Sequence, residues 1–281
     1  LCTATLLSGS VKSKQGFITS EGEILTCSSY PASDITIKAN FCPDLAAVES
    51  VTLPCKIVEQ IFFTTDIIIL MLKYPPTSKF NYLPGQYIDL IYKGVRRSYS
   101  IANTQTSFAG IELHIRLIAN GELSQLLRHD CGIGQIMRVE GPKGTFYIRP
   151  SSCPVIFLAA GTGFAPIKAM VEALLENNSE RSISIYWGMT NSKDFYMDLP
   201  YSWAEKYNNI RYIPVVSGED EVWSGSKGAV DQAVIKDFPE LSAYHLYACG
   251  PPHMINKAKK TFISHGLNPL HFYADIFVPS K

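Results

Sequence analysis

A run of seven residues with no polar side chain, Pro154-Val155-Ile156-Phe157-Leu158-Ala159-Ala160, leads directly into Gly161-Thr162-Gly163-Phe164-Ala165-Pro166. An apolar run without alternation suits a strand buried on both faces. The glycines mark a tight turn, and Ile167, Met170, Val171, Leu174 and Leu175 then recur at helical spacing. Strand, glycine turn and helix form the opening unit of a parallel sheet with helices on both faces. The rest of the C-terminal half repeats the alternation. Strands are predicted over 183–189, 212–216, 245–249 and 271–277, with helices near Trp203, over 229–238 and over 252–265, the last stopping at Gly266. Residues 153–281 therefore read as one α/β domain.

Residues 51–150 have a different pattern. Short runs such as Cys55–Val58, Asp66–Leu72, Tyr87–Tyr92, Ser98–Ile101, Gly110–Ile118 and Gln135–Glu140 alternate with turns at Pro84-Gly85 and Lys93-Gly94. With one helix-like stretch, Ser124–Arg128, they predict a small antiparallel β barrel. Residues 1–48 add a partial β-rich segment with too little core to fold confidently alone.

Composition narrows the partners. The chain has 281 residues, 46 % of them hydrophobic and 18 % charged, as in a globular protein. Lys plus Arg equal Asp plus Glu at 25 each and no basic stripe appears, so no nucleic acid or anionic membrane partner is expected. No apolar run approaches the ~18 residues of a membrane span. The seven cysteines form no closely spaced framework, which suits a reducing cytoplasm. The chain starts at Leu1-Cys2 rather than Met, lacks a signal-peptide pattern, and reads as a polypeptide cut in mid-domain.

Three motifs carry chemistry. In the first, Gly161 and Gly163 let a backbone approach a pyrophosphate, and the helix opened near Pro166 offers unpaired N–H groups. The plain reading of that loop is a tight strand-to-helix turn. The second is Arg97-Ser98-Tyr99-Ser100, on one strand. Alternation puts Arg97 and Tyr99 on one side and Ser100 on the other or at the strand's end. An arginine can grip a diphosphate, a tyrosine can lie on an isoalloxazine ring and a serine can bond the ring's edge. The plain reading is a half-exposed barrel strand. His114, Arg116, Gly121 and Ser124 extend this site, with Ser124 as N-cap of the short helix and Arg116 adding charge for a second phosphate. The third motif is Cys249-Gly250-Pro251-Pro252, at the C-terminal end of a parallel strand, where open α/β sheets bind ligands. Cys249 is read as a nucleophile, a packing residue or, by preference, a neutral contact shaping the pocket.

Taken together, Leu83-Pro84-Gly85-Gln86-Tyr87, Arg97-x-Tyr99-Ser100, Gly161-Thr162-Gly163-x-Ala165-Pro166 and Cys249-Gly250-Pro251 resemble the ferredoxin–NADP reductase family over residues 51–281. The resemblance implies an NAD(P)H-dependent oxidoreductase with an FAD-binding barrel and a nicotinamide-binding domain. Arg97 and the Ser124 helix end would hold the FAD pyrophosphate, Tyr99 would stack on the flavin and Ser100 would sit near its N5. Thr162 and Cys249 would lie beside the nicotinamide, and Phe277 would shield the ring, with Asp275 as the acidic residue two places before it. Residues 1–48 resemble the last part of a plant-type [2Fe–2S] ferredoxin. Cys2 and Cys27 would be its third and fourth ligands, so the cluster is expected only in an intact longer chain. In this family a Ser-Arg pair often grips the 2′-phosphate of NADPH. Here Ser217-Gly218-Glu219-Asp220-Glu221 sets carboxylates in that place, which implies NADH over NADPH, with Lys227 the residue that could reverse the preference.

Further stretches, among them Ile185-Tyr186-Trp187-Gly188-Met189, resemble ferredoxin-fused reductases that serve a pyridoxamine-phosphate-dependent dehydrase in forming 3,6-dideoxyhexoses. Reductases with the same parts feed aromatic-ring oxygenases, which is the second expectation for the electron-accepting protein partner. A flavin or nucleotide binder without turnover is the third.

Overall fold

The structure, a computed structural model, describes residues 3–13, 16, 18–39 and 42–277. It forms two compact units, Leu1–Ala47 and Val48–Lys281.

In the first unit, β1 (Thr3–Ser8), β4 (Gly22–Leu25) and β6 (Thr36–Lys38) form one small sheet. Strands β2 (Val11–Ser13), β3 (Ile18–Thr19) and β5 (Ser29–Pro31) form another. Ala4, Leu6, Val11 and Ile24 supply the core. Gly9, with φ +85°, turns the chain where a Cβ would stand 2.0 Å from the Asp34 carbonyl oxygen, so no other residue fits there. Cys2 lies outside the described residues. Cys27 falls in the short 3-10 turn Thr26–Ser28, and its side chain is also outside what is described.

The second unit begins with the barrel: β7 (Val51–Phe62), β8 (Ile67–Lys73), β9 (Tyr87–Tyr92), β10 (Val95–Ser100), β11 (Ile111–Arg116), α1 (Glu122–His129) and β12 (Ile136–Lys143). The strands run antiparallel in the order β10-β9-β12-β7-β8-β11, and an Ile101–Leu113 bridge draws the two edges together. Ile57, Leu70, Ile88, Leu90, Leu113 and Val139 fill the interior and are fully buried. The β9–β10 turn is Lys93-Gly94, with φ +47° and +85°. Two successive positive φ values are what a tight two-residue hairpin requires. That turn pairs Val95 with Tyr92 and so decides which way every residue of β10 faces.

The α/β part contains β13 (Val155–Ala160), α2 (Phe164–Glu176), β14 (Ile183–Met189), α3 (Leu199–Lys206), β15 (Ile210–Val216), β16 (Ser226–Lys227), α4 (Val230–Asp237), β17 (His245–Gly250), α5 (Pro252–Ser264) and β18 (Phe272–Ile276). All strands are parallel, in the order β16-β15-β14-β13-β17-β18. The fold class is the expected one, an antiparallel near-barrel followed by a parallel sheet with helices. The runs of apolar residues in β13 and β17 are buried on both faces. One side packs Phe157, Trp187 and Tyr247 with Phe164, Ile167 and Met170 of α2. The other packs Leu158, Tyr186 and Leu246 with α4 and α5. Strand order reverses beside β13, so the ends of β13 and β17 define the crevice where such sheets bind ligands. Among the described residues, no helix is long and apolar enough to cross a membrane.

Candidate active site

Two turns meet at that crevice. After β13 the chain makes a single 3-10 turn, Gly161–Gly163, before α2. Gly161 takes φ +58°, and its carbonyl accepts a 2.9 Å hydrogen bond from the Trp187 indole N–H. At Gly163 a Cβ would stand 2.3 Å from the Cys249 carbonyl oxygen, so the glycine lets the ends of β13 and β17 close on each other. Pro166 lies in the first turn of α2, where its missing N–H costs nothing. Gly250 and Pro251 carry the chain from β17 into α5, and the Gly250 carbonyl accepts from the Phe277 N–H at 3.0 Å. The ends of β13, β14, β15 and β17 then surround a cavity of about 580 Å³. Gly161, Thr162, Pro251, Phe277 and, from the barrel, Arg116 are among its lining residues.

Cys249 is fully buried, and burial pushes its thiol well above the ordinary range. A thiol kept protonated is a poor nucleophile, and Cys249 belongs to the packed core and is not among the residues lining the cavity. It stands opposite Asp275 in the β17–β18 register. Burial raises the Asp275 carboxyl against the lowering hydrogen bond from Ser100, whose hydroxyl donates to Oδ2 at 3.3 Å. Ser100 ends β10, so this contact brings the barrel's motif strand to the crevice.

On β10, Arg97 and Tyr99 share a face, and the structure brings these two together. Arg97 is half-buried, gives one N–H to the Arg96 carbonyl at 2.7 Å, and forms no ion pair among the described residues. Tyr99 packs against the barrel core, and burial pushes its hydroxyl up to about 12. The opposite face belongs to an ion cluster around the buried Asp89, Arg96–Asp89–Lys143–Glu140. Ser98 lies there, its hydroxyl held by Asp89 at 2.6 Å, and is not brought to the Arg97–Tyr99 face.

Two expectations need correction. Ser124 is not an N-cap: α1 begins at Glu122 with Gly121 as cap. The Ser124 hydroxyl instead accepts from the Ile118 N–H at 2.9 Å and shapes the turn leading into the helix. The unpaired amides at the start of α1 remain, so the turn still offers donors for an anion. His114 is not open to a cofactor. It is buried, with Nε2 against Glu112 at 2.8 Å and Nδ1 against Tyr196 at 2.9 Å. Burial pushes its imidazole down, against the raising effect of Glu112. Both ring nitrogens are already used.

Arg97, with no carboxylate partner among the described residues, and the start of α1 fit a dinucleotide on the barrel, and the Gly161-Thr162 turn fits one at the sheet. Sequence reasoning missed Trp187 as the residue that pins the Gly161 carbonyl; an indole two residues before the end of β14 carries no motif. Asp220 was read as a charge facing the cofactor, yet it accepts from the Ser192 N–H at 2.8 Å. Its backbone carbonyl in turn accepts from Lys227 Nζ at 3.2 Å. Among the described residues no three His, Cys, Asp or Glu are grouped to hold a metal ion.

An antiparallel barrel followed by a parallel sheet with a crevice at its strand ends is the architecture of an FAD- and NAD-binding oxidoreductase. Family models agree: residues 54–148 match the oxidoreductase FAD-binding domain and residues 157–260 the oxidoreductase NAD-binding domain. The chain belongs to the ferredoxin reductase family and is an NAD(P)H-dependent oxidoreductase. It is 49 % identical to the CDP-6-deoxy-L-threo-D-glycero-4-hexulose-3-dehydrase reductase of Yersinia pestis, over 100 % of this chain and 87 % of that one. The anthranilate 1,2-dioxygenase electron transfer component of Acinetobacter baylyi is 31 % identical over 72 % of this chain and 60 % of that one. The fold matches the Amycolatopsis cytochrome P450 reductase GcoB with a TM-score of 0.81, at 24 % identity, over 99 % of this chain and 87 % of that chain.

Proposed function

We propose that this chain is an NADH-dependent flavoprotein reductase that hands electrons to a pyridoxamine-phosphate-dependent dehydrase in 3,6-dideoxyhexose formation. The single observation that carries the reductase reading is the Ser100–Asp275 contact beside Cys249, which joins the flavin strand to the dinucleotide crevice. The choice of dehydrase is supported by 49 % identity across the full chain to a dehydrase reductase. Identity to oxygenase reductase components is lower, 31 % and 29 %, which favours the dehydrase.

In this reading Arg97 and the first amides of α1 hold the FAD diphosphate, and Tyr99 offers a ring face to the flavin. The Gly161–Gly163 turn and the start of α2 receive the nicotinamide dinucleotide diphosphate. Bound FAD supplies the chemistry, acceptance of a hydride from the dihydronicotinamide and release of the two electrons singly. The protein's own part is alignment and exclusion of water. Ser100 fixes one edge of the meeting point, the protonated Cys249 thiol adds no charge to the core beside it, and Phe277 closes its outer side. Glu219 and Glu221 are exposed, shortly after Ser217, which lines the crevice, and would disfavour a 2′-phosphate there, which supports NADH.

The test is anaerobic. The FAD-loaded chain should bleach its flavin absorbance with NADH, and much more slowly with NADPH at equal concentration. Reduced protein from a chain that carries all four cluster ligands should then pass electrons to a purified pyridoxamine-phosphate-dependent dehydrase and not to a ring-hydroxylating oxygenase. No flavin uptake, or flavin that NADH leaves oxidised, would return the reading to a nucleotide-binding module. Transfer to the oxygenase alone would overturn the partner.

A further inference from the structure

The helix that carries the glycine turn at its N-terminus is also tied to the barrel, by a line of charges that neither cofactor needs. Lys168, Glu172 and Glu176 stand at i, i+4 and i+8 on α2, and so along one face. Lys168 is 5 % exposed. Its Nζ donates to the Ala102 carbonyl at 2.9 Å and meets Glu112 of β11 at 3.0 Å and Glu172 at 2.8 Å. Glu172 accepts from the Ser107 hydroxyl at 3.0 Å, and Glu176 accepts from the Thr104 hydroxyl. Every barrel group in this set lies in residues 102–112, immediately after Ser100.

The receiving segment is itself held in shape. Asn103, wholly buried, donates to the carbonyls of Thr104, Phe108 and Gly110, and its Oδ1 accepts from the Glu112 N–H at 2.8 Å. The network continues inward. Glu112 binds His114, and His114 binds Tyr196 from the loop after β14. An ionised carboxylate only accepts, so Nε2 carries the ring proton and the Tyr196 hydroxyl donates to Nδ1. Tyr196 sets its ring against the edge of Trp187, the residue that holds the Gly161 carbonyl.

Buried ion pairs are poor sources of stability, because desolvation cancels much of their attraction; what they supply is a fixed geometry. Here the geometry fixed is that between the strand end bearing Ser100 and the helix end bearing Gly161. We propose that Lys168 is a positioning residue: by clamping α2 to the 102–112 segment it sets the distance between the flavin strand and the nicotinamide turn. The inference rests on the reductase reading above and adds to it a residue outside both cofactor sites.

The test uses the FAD-loaded full chain and the double variant Lys168→Met with Glu112→Gln, which removes both charges and keeps a hydrogen bond for His114. Flavin content should stay at the wild-type value. Hydride transfer at saturating NADH should fall by roughly 10²-fold, the cost of a small misplacement of reacting groups, while NADH affinity moves less than about threefold. Independently of turnover, hydrogen exchange at the amides of 101–104 and 161–164 should quicken in the flavin-loaded protein without NADH. Wild-type transfer rate and wild-type exchange would overturn the clamp. Thr104→Val is measured alongside, since it removes the hydroxyl that donates to Glu176 and accepts from the Ser107 N–H at 3.0 Å, at the other end of the clamp. It should slow transfer by about threefold and quicken exchange along 164–176, and wild-type values in a folded Thr104→Val protein would overturn the clamp even where the double variant does not fold. A wild-type chain whose flavin NADH cannot reduce would instead sink the reductase reading and leave the exchange comparison to judge the clamp.

Discussion

The hydroxyl of Ser100, last residue of β10, donates to Oδ2 of Asp275 on β18 across 3.3 Å, although 175 positions separate them in the chain. One partner belongs to the barrel and the other to the parallel sheet, so in the proposed function the bond lies where the nicotinamide meets the flavin. Asp275 also stands opposite the fully buried Cys249, whose thiol burial keeps protonated. Ser100→Ala should therefore keep its FAD and lose up to about 10²-fold in hydride transfer, as expected when orientation alone suffers. Stopped-flow reduction under nitrogen reads this directly; a wild-type rate would remove Ser100 from the meeting point.

Two adjacent arginines offer a sharp contrast. Arg97 has no carboxylate partner among the described residues, while Arg96 reaches Asp89 and Glu140 at 2.8 Å on the other face. Arg97→Met should weaken FAD binding by roughly 10- to 10²-fold, the worth of a charge-assisted hydrogen bond. Arg96→Met loosens an ion cluster on the opposite face of β10 and should leave FAD affinity unchanged. Titration of the apoprotein with FAD, followed by flavin fluorescence, separates the two. Equal losses would mean that the face assignment fixed by the Lys93-Gly94 turn does not govern the flavin.

How much of this could be read from the chain differs from residue to residue. The parity that separates Arg97 from Ser98 follows from a two-residue turn and strand alternation, both local. The strand at 155–160 and its glycine turn are equally local. His114 was not readable in this way. It lies between Leu113 and Ile115, and its partners Glu112 and Tyr196 enclose it only after the barrel and sheet have docked. Ser124 looked like a cap because serine favours that position, yet Gly121 already provides the extended backbone and the helix starts there. Lys168, Glu172 and Glu176 have the spacing of a solvated helix face, and only tertiary structure shows that the barrel covers it. Local rules gave the cofactor motifs, while long-range packing decided what surrounds them.

Cofactor preference can be tested at the exposed carboxylates. Asp220 is engaged with the Ser192 N–H, so its replacement would disturb the loop as well as its charge. Glu219 is exposed. Glu219→Arg should lower the ratio of kcat/KM for NADH over NADPH by roughly tenfold, the factor given by ~1.4 kcal/mol of altered electrostatics. Steady-state assays with both dinucleotides measure it. An unchanged ratio would place the 2′ position elsewhere along the crevice.

Acid should destabilise the fold in a definite window. Burial, with the nearby His271 and Arg181, pushes the His245 imidazole down to about 4. An unfolded histidine titrates near ~6.5. Between those values the unfolded chain binds the extra proton, so the stability from neutral His245 is complete above about 6.5 and is lost as pH falls towards 4. His114, also lowered by burial, acts in the same direction. The melting temperature should therefore drop as pH is lowered from 7 through this window. His245→Phe, which keeps a ring against His271, should flatten the drop; an equally steep curve in the variant would assign the lability to other groups.

Trp187 is the residue whose loss should reveal how the nicotinamide turn is held. Its indole N–H reaches the Gly161 carbonyl at 2.9 Å, and its ring stacks on Phe164 with centroids 4.1 Å apart. Gly161 sits at φ +58°, and its carbonyl would otherwise lose its partner inside the crevice. Trp187→Phe keeps an aromatic ring on Phe164 and removes the donor. An acceptor left unpaired costs about 1–3 kcal/mol, so the melting temperature should fall by several degrees. If the turn receives the dinucleotide diphosphate, KM for NADH should rise by about tenfold while flavin content stays at the wild-type value. Loss of stability with an unchanged KM would show that the indole supports the core and that the turn keeps its shape without it.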